Sequence, residues 1–153
     1  MTKQEAFTLM VQHLRTQAIP SVISHDEGGV NCLYRHPDGI RRCAVGVLIP
    51  DKDYSTDLEG KGVGGLLIDH PHLAWLAPLN HRGMDGPFGM LHQMQNLHDS
   101  VVNQGNIETN FLDHWEQGFT NIARAHGLIV PEHPCKDTVT AEVAVAQAET
   151  ITV

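Results

Sequence analysis

A chain of 153 residues, 41% hydrophobic and 18% charged, has the length and balance of one globular domain rather than of a disordered segment. Ten basic against eighteen acidic side chains leave a net charge of -8, which argues against generic binding to a nucleic-acid backbone. The eleven histidines would cancel much of that charge near pH 6, so solubility should depend on pH there.

Thr2–Gln17 has the pattern of a first helix, with Phe7, Met10, Val11 and Leu14 at i, i+3, i+4 and i+7. Thr2 and Glu5 have capping-box spacing, and Pro20 stops the helix. Ser24–Gly29 reads as a loop. Val30–Arg35 reads as a short strand, His36-Pro37-Asp38-Gly39 as a turn and Ile40–Cys43 as the return strand. Ala44–Ile49 favours helical turns with Cys43 near their N-terminus. Asp51–Gly65 is a loop rich in Asp and Gly. Short helical pieces follow around Val63–Ile68 and His72–Leu76, and His81–Gly89 is irregular. Pro87 suits the first turn of a helix running to about Asn103, on whose face lie Phe88, Leu91, Met94, Leu97 and Val101. A last helix spans Glu108–His126, with Phe111, Trp115, Phe119 and Ile122 on one face and Gly127 as its terminator. The expectation is a mainly α fold (α+β): about four helices around one core, with a small β-hairpin near residues 30–43. Residues 1–130 form the single globular domain, and 131–153 a loose tail or an edge strand.

No apolar run reaches the ~18 residues of a membrane span. The N-terminus also lacks the apolar stretch and cleavage site of a signal peptide. A cytoplasmic address is therefore expected, with Cys32, Cys43 and Cys135 reduced.

Four arrangements could carry chemistry. Cys43 at a helix N-terminus beside Arg41 and Arg42 would gain thiolate character, with His98 as its base. Neighbours on a helix diverge by about 100°, so Asp99 is not the expected orienting carboxylate. The plainer reading makes Cys43 a small buried hydrophobe. Cys32, His36 and Cys43 offer three metal ligands, and His133 with Cys135 could add more. Their spacing matches no standard zinc signature, so no cofactor is expected beyond a possible structural zinc. A Cys32–Cys43 pair depends on register. If Arg35 faces Ile40 the two sulfurs share a face, and if His36 faces Ile40 they do not. Glycine-rich Leu58–Leu67 fits neither a Walker loop nor a dinucleotide fingerprint. It reads as a flexible loop, although Arg35, Arg41, Arg42 and Lys61 could together clamp an anion.

The block CLYRHPDGIRRCAVGVLIPDKDY, the leading EAFTLMVQHLRTQ and the later LHQMQNLHDS together resemble a family of small proteins of tailed bacteriophages and their prophages. Those proteins open with an amphipathic helix, followed by a C-x-Y-R, turn, K/R-C-A-V-G-x-L-I-P-D-x-x-Y block and an L-Q-x-x-H-D segment. The matching positions here are Cys32, Tyr34, Arg35, Cys43, Ala44, Gly46, Pro50, Asp51 and Tyr54, then Gln95, His98 and Asp99. Residues 4–67 and 90–127 are covered, and the tail after Pro131 is not. The resemblance implies a phage genome and the bacterial host cytosol, without catalytic roles. It favours an accessory protein that binds or inhibits a host factor without turnover. The alternatives are a cysteine-dependent hydrolase or transferase using Cys43 and His98, and a protein that sequesters nucleotides or small anions.

Overall fold

Four α-helices carry the fold in the computed structural model, which describes residues 1–25, 29–81, 88–103, 106–107 and 109–133. Helix α1, Lys3–Gln17, buries its whole apolar stripe, Phe7, Met10, Val11 and Leu14. The capping box forms as its spacing predicts: the Glu5 N–H donates to Thr2 Oγ1 at 3.1 Å, and the Thr2 N–H donates to the Glu5 carboxylate at 2.6 Å. The helix ends before Pro20, at Ala18, which takes the left-handed conformation (φ 49) while its N–H still reaches the Leu14 carbonyl.

The strand expected at Val30–Arg35 divides its pairing between two partners. Its first half is β2, Val30–Cys32, which pairs backwards with β1, Val22–Ser24, so that Cys32 faces Val22. Its second half meets the HPDG return in a single bridge, Arg35 opposite Arg42. The His36 N–H donates to the Arg41 carbonyl at 2.9 Å and the Cys43 N–H to the Tyr34 carbonyl at 3.2 Å. Neither of the two registers considered from sequence is adopted. Asp38 explains the difference, because its Oδ1 accepts the N–H groups of both Ile40 and Arg41 at 2.9 and 3.0 Å. That capture holds Ile40 inside the loop, so His36 closes on Arg41. Tyr34 then faces Cys43, and Cys32 and Cys43 are both free thiols.

After Cys43 the chain makes 3-10 turns at Gly46–Leu48, Asp51–Asp53 and Thr56–Leu58. Helix α2, Val63–Asp69, leads into a 3-10 run at Pro71–Asn80. Helix α3 is Met90–Asp99, shorter than expected at both ends; Pro87 lies outside the described residues. The N-terminus of α3 is fastened by the Asn80 side chain, which accepts the His92 N–H. A two-residue hairpin, β3 (Val102–Asn103) with β4 (Asn106–Ile107), precedes α4, Phe111–His126. Gly127 closes α4 in the left-handed conformation (φ 64), as its position predicts.

One core joins these elements. Phe7, Met10 and Leu14 of α1 meet Ile49, Leu58, Leu66, Leu73 and Leu76, then Leu91 and Met94 of α3 and Trp115 and Phe119 of α4. Helices α3 and α4 touch closely at Gly118, where any Cβ would strike Leu97. Arg15 grips Glu116 with two hydrogen bonds of 2.7 and 2.8 Å and donates a third to the Pro131 carbonyl, tying α1 to α4 and to the chain beyond it. Residues 134–153, including Cys135 and nearly all of the expected tail, lie outside the described residues.

Gly46 stands directly against the backbone of Tyr34, whose carbonyl occupies the space of a Cβ. Gly46→Ala should cost about 2–3 kcal/mol through forced displacement of the two segments. Gly64→Ala, into open space within α2, should stabilise by about 0.5–1 kcal/mol. Urea unfolding of the two variants side by side checks both signs.

Candidate functional site

The two sequence blocks meet around α3. Gln95, His98 and Asp99 occupy one face of that helix at i, i+3 and i+4, and Cys32 and Cys43 approach from the other block. His98 is completely buried. Its Nε2 accepts the backbone N–H of Ser21 at 3.0 Å, so the ring proton sits on Nδ1, which donates to Asp99 Oδ1 at 2.8 Å. The same carboxylate oxygen accepts Gln95 Nε2 at 2.7 Å. The amide oxygen of Gln95 accepts the Cys43 thiol at 3.0 Å, and Cys43 Sγ in turn accepts the Gly46 N–H at 3.3 Å. One chain of hydrogen bonds therefore runs from Ser21, just before β1, through α3, to the turn after Cys43.

Asp99 does orient His98, contrary to the expectation from their adjacency. Nδ1 is the ring nitrogen nearer the backbone, within reach of a carboxylate one residue on, whereas Nε2 points away to Ser21. Trp115 of α4 stacks on the same imidazole, with centroids 5.8 Å apart and planes 21° from parallel.

Cys43 and His98 thus lie in one network without touching as nucleophile and base. The Cys43 thiol is fully buried, and burial pushes its pKa up, outweighing the hydrogen bonds from Gly46 and Val45 that act in the other direction. Burial also raises the Cys32 thiol, assisted by the charge of Asp99 and a hydrogen bond to it. Both groups are held as thiols, which are poor nucleophiles.

Of the expected metal ligands, His36 belongs to the HPDG turn, where it contacts Asp38 and Arg41, and Cys43 is engaged with Gln95. Among the described residues the group with metal-ligand spacing is Cys32, His98 and Asp99, whose ligand atoms lie within 4.8 Å of one another. Its hydrogen bonding fits a cation poorly. The lone pair of Nε2 is taken by Ser21, and Nδ1 carries a proton, so His98 has no free lone pair to offer.

Of the four candidate anion-binding cations only Arg35 and Arg42 converge, and they do so on Asp51. Arg35 donates to the Ile49 carbonyl at 2.6 Å, pairs with Asp51 at 2.8 Å and lies over the ring of Tyr54. Arg42 shares Asp51, Arg41 pairs with Asp38, and Lys61 pairs with Asp69. Each cation is paired with a carboxylate, Arg35 and Arg42 with the same one.

Glu59, which carried no signal in the sequence, straps the site together. Its carboxylate accepts the N–H groups of Tyr34 and Arg35 at 2.9 and 3.0 Å and the Tyr54 hydroxyl at 3.0 Å. The Tyr34 hydroxyl donates to the Lys61 carbonyl at 2.7 Å. The glycine-rich segment is thereby held against Tyr34 and Arg35, just beyond β2, with Gly60 in the left-handed conformation (φ 75) that lets the chain turn there. Between β2, this segment and α3 opens a cleft of about 830 Å³, lined among others by Cys32, Tyr34, Glu59, Lys61, Gln95 and Asp99.

Comparison with protein-family models, with curated proteins and with solved structures finds no match. Among the described residues no helix is long and apolar enough to cross a membrane.

Iodoacetamide at pH 7.5 should label Cys43 at least about a hundredfold more slowly in the native protein than in urea, since labelling waits for the core to open. Mass-spectrometric peptide mapping assigns the label. Rapid native labelling of Cys43 would restore it as a nucleophile.

Proposed function

We propose that the chain is a non-catalytic binding protein, an accessory factor of phage type that works in the bacterial cytoplasm by holding a host protein at the cleft between β2, Glu59–Val63 and α3. One observation carries this reading. The groups best suited to covalent chemistry are committed to the fold, while the cleft beside them stays open. The Cys43 thiol is spent on Gln95, both nitrogens of His98 are engaged, and burial beside Asp99 keeps the Cys32 thiol protonated. A Cys43–His98 hydrolase or transferase would have to break two of these links before its first step. Anion sequestration by Arg35, Arg41, Arg42 and Lys61 would have to displace Asp38, Asp51 and Asp69. The net charge of -8 favours a partner with a basic face.

The test is retention of bacterial cytosolic protein on the immobilised full chain at modest salt, beside the variant Asn96→Arg. Asn96 is exposed in the cleft wall, so the substitution should alter the surface and leave the core intact. The expected result is a stoichiometric partner retained by the native chain and lost from the variant. Retention of nothing, or equal retention by both, would contradict the proposal.

A further inference from the structure

The wall that β2 gives to the cleft is a strand edge. In the β1–β2 ladder the Leu33 N–H donates to the Ser21 carbonyl and the His25 N–H to the Gly29 carbonyl, and Ile23 faces Asn31. Residues 29, 31 and 33 therefore aim their backbone groups at β1, and by alternation Val30 and Cys32 aim theirs the opposite way. Continuing outward, the Tyr34 N–H is taken by Glu59. No N–H or C=O of Val30 or Cys32 meets a partner among the described residues outside β1, and both residues line the cleft. Unpaired strand edges of this kind are templates for a further strand.

The charge of the same cleft selects its occupant. Glu59 and Asp99 both line it, and among the described residues neither pairs with Lys or Arg. Lys61, the cation of the lining, is already paired with Asp69. Asp99 turns toward neutral His98 and is 40% exposed.

We infer that the cleft binds an extended, basic peptide segment of a partner protein by strand addition. Main-chain hydrogen bonds to Val30 and Cys32 hold the segment, and a lysine or arginine side chain reaches Asp99. The inference rests on the binding reading above and specifies how the partner is gripped.

The probe is the peptide acetyl-VKVKVKV-amide, added to the full chain while backbone amide exchange is followed by NMR. In the chain alone the amides of Val30 and Cys32 should exchange freely, and those of Asn31 and Leu33 should be protected. Saturating peptide should slow exchange at Val30 and Cys32 by about tenfold or more. Replacing lysine by glutamate in the peptide should weaken binding at least about tenfold, in a salt-dependent way. N-methylation of alternate peptide nitrogens should abolish it, as should Val30→Pro, which removes an outward N–H and spares the β1 ladder. The methylated peptide keeps the test decisive if that variant does not fold.

Protection of Val30 and Cys32 already present in the chain alone would mean that the chain covers its own edge, and would overturn the inference. So would equal binding of the acidic peptide, or no protection at millimolar basic peptide. A host protein retained in the earlier experiment without any change at Val30 and Cys32 would overturn this inference while leaving the binding reading intact.

Discussion

The backbone N–H of Ser21 donating to Nε2 of buried His98 is the contact on which the rest of the site depends. It fixes the tautomer, because a nitrogen that accepts cannot also carry the proton. The proton therefore goes to Nδ1 and commits His98 to Asp99, and Asp99 Oδ1 also receives Gln95. Gln95 then presents its oxygen to Cys43. The orientation of each side chain follows from the one before it. A buried polar group left without its partner costs about 1–3 kcal/mol, so the chain tolerates few substitutions singly. Its members link the approach to β1, the face of α3 and the turn after Cys43, three places that apolar packing alone would hold less specifically.

The same constraint separates structure from surface. Thiol and imidazole groups that resemble a catalytic pair turn inward and are satisfied there. What faces the cleft is backbone from β2, the exposed part of Asp99 and the strap formed by Glu59. Such a surface is suited to recognition by hydrogen bonding and charge. Its two described thiols are not activated, since Cys32 and Cys43 are both held protonated by burial and, at Cys32, by the neighbouring carboxylate.

Much of the fold was legible because its signals are local. The stripe and capping box of α1, the face of α4 and the terminating Gly127 each depend on a few neighbouring residues. The mainly helical class with a small hairpin followed from them. The strand register was not legible. It turns on Asp38 capturing two N–H groups and on β2 finding its partner in Val22–Ser24, a stretch with little strand pattern. The site was half legible: the residues of the two blocks were singled out, but their union through Gln95 spans 52 positions of sequence. Glu59 and Ser21 were invisible, since one acts as an acceptor for distant backbone and the other through its own N–H.

Cys43, Gln95, Asp99 and His98 act as one structural unit. A double-mutant cycle between Cys43→Val and Gln95→Leu, read by urea unfolding, measures that coupling. Each single change strands a buried partner and should cost about 1–3 kcal/mol. The double variant removes donor and acceptor together, so it should cost at least about 1 kcal/mol less than the sum. Additivity within about 0.5 kcal/mol would contradict the account, because it would mean that the two side chains contribute only their separate packing.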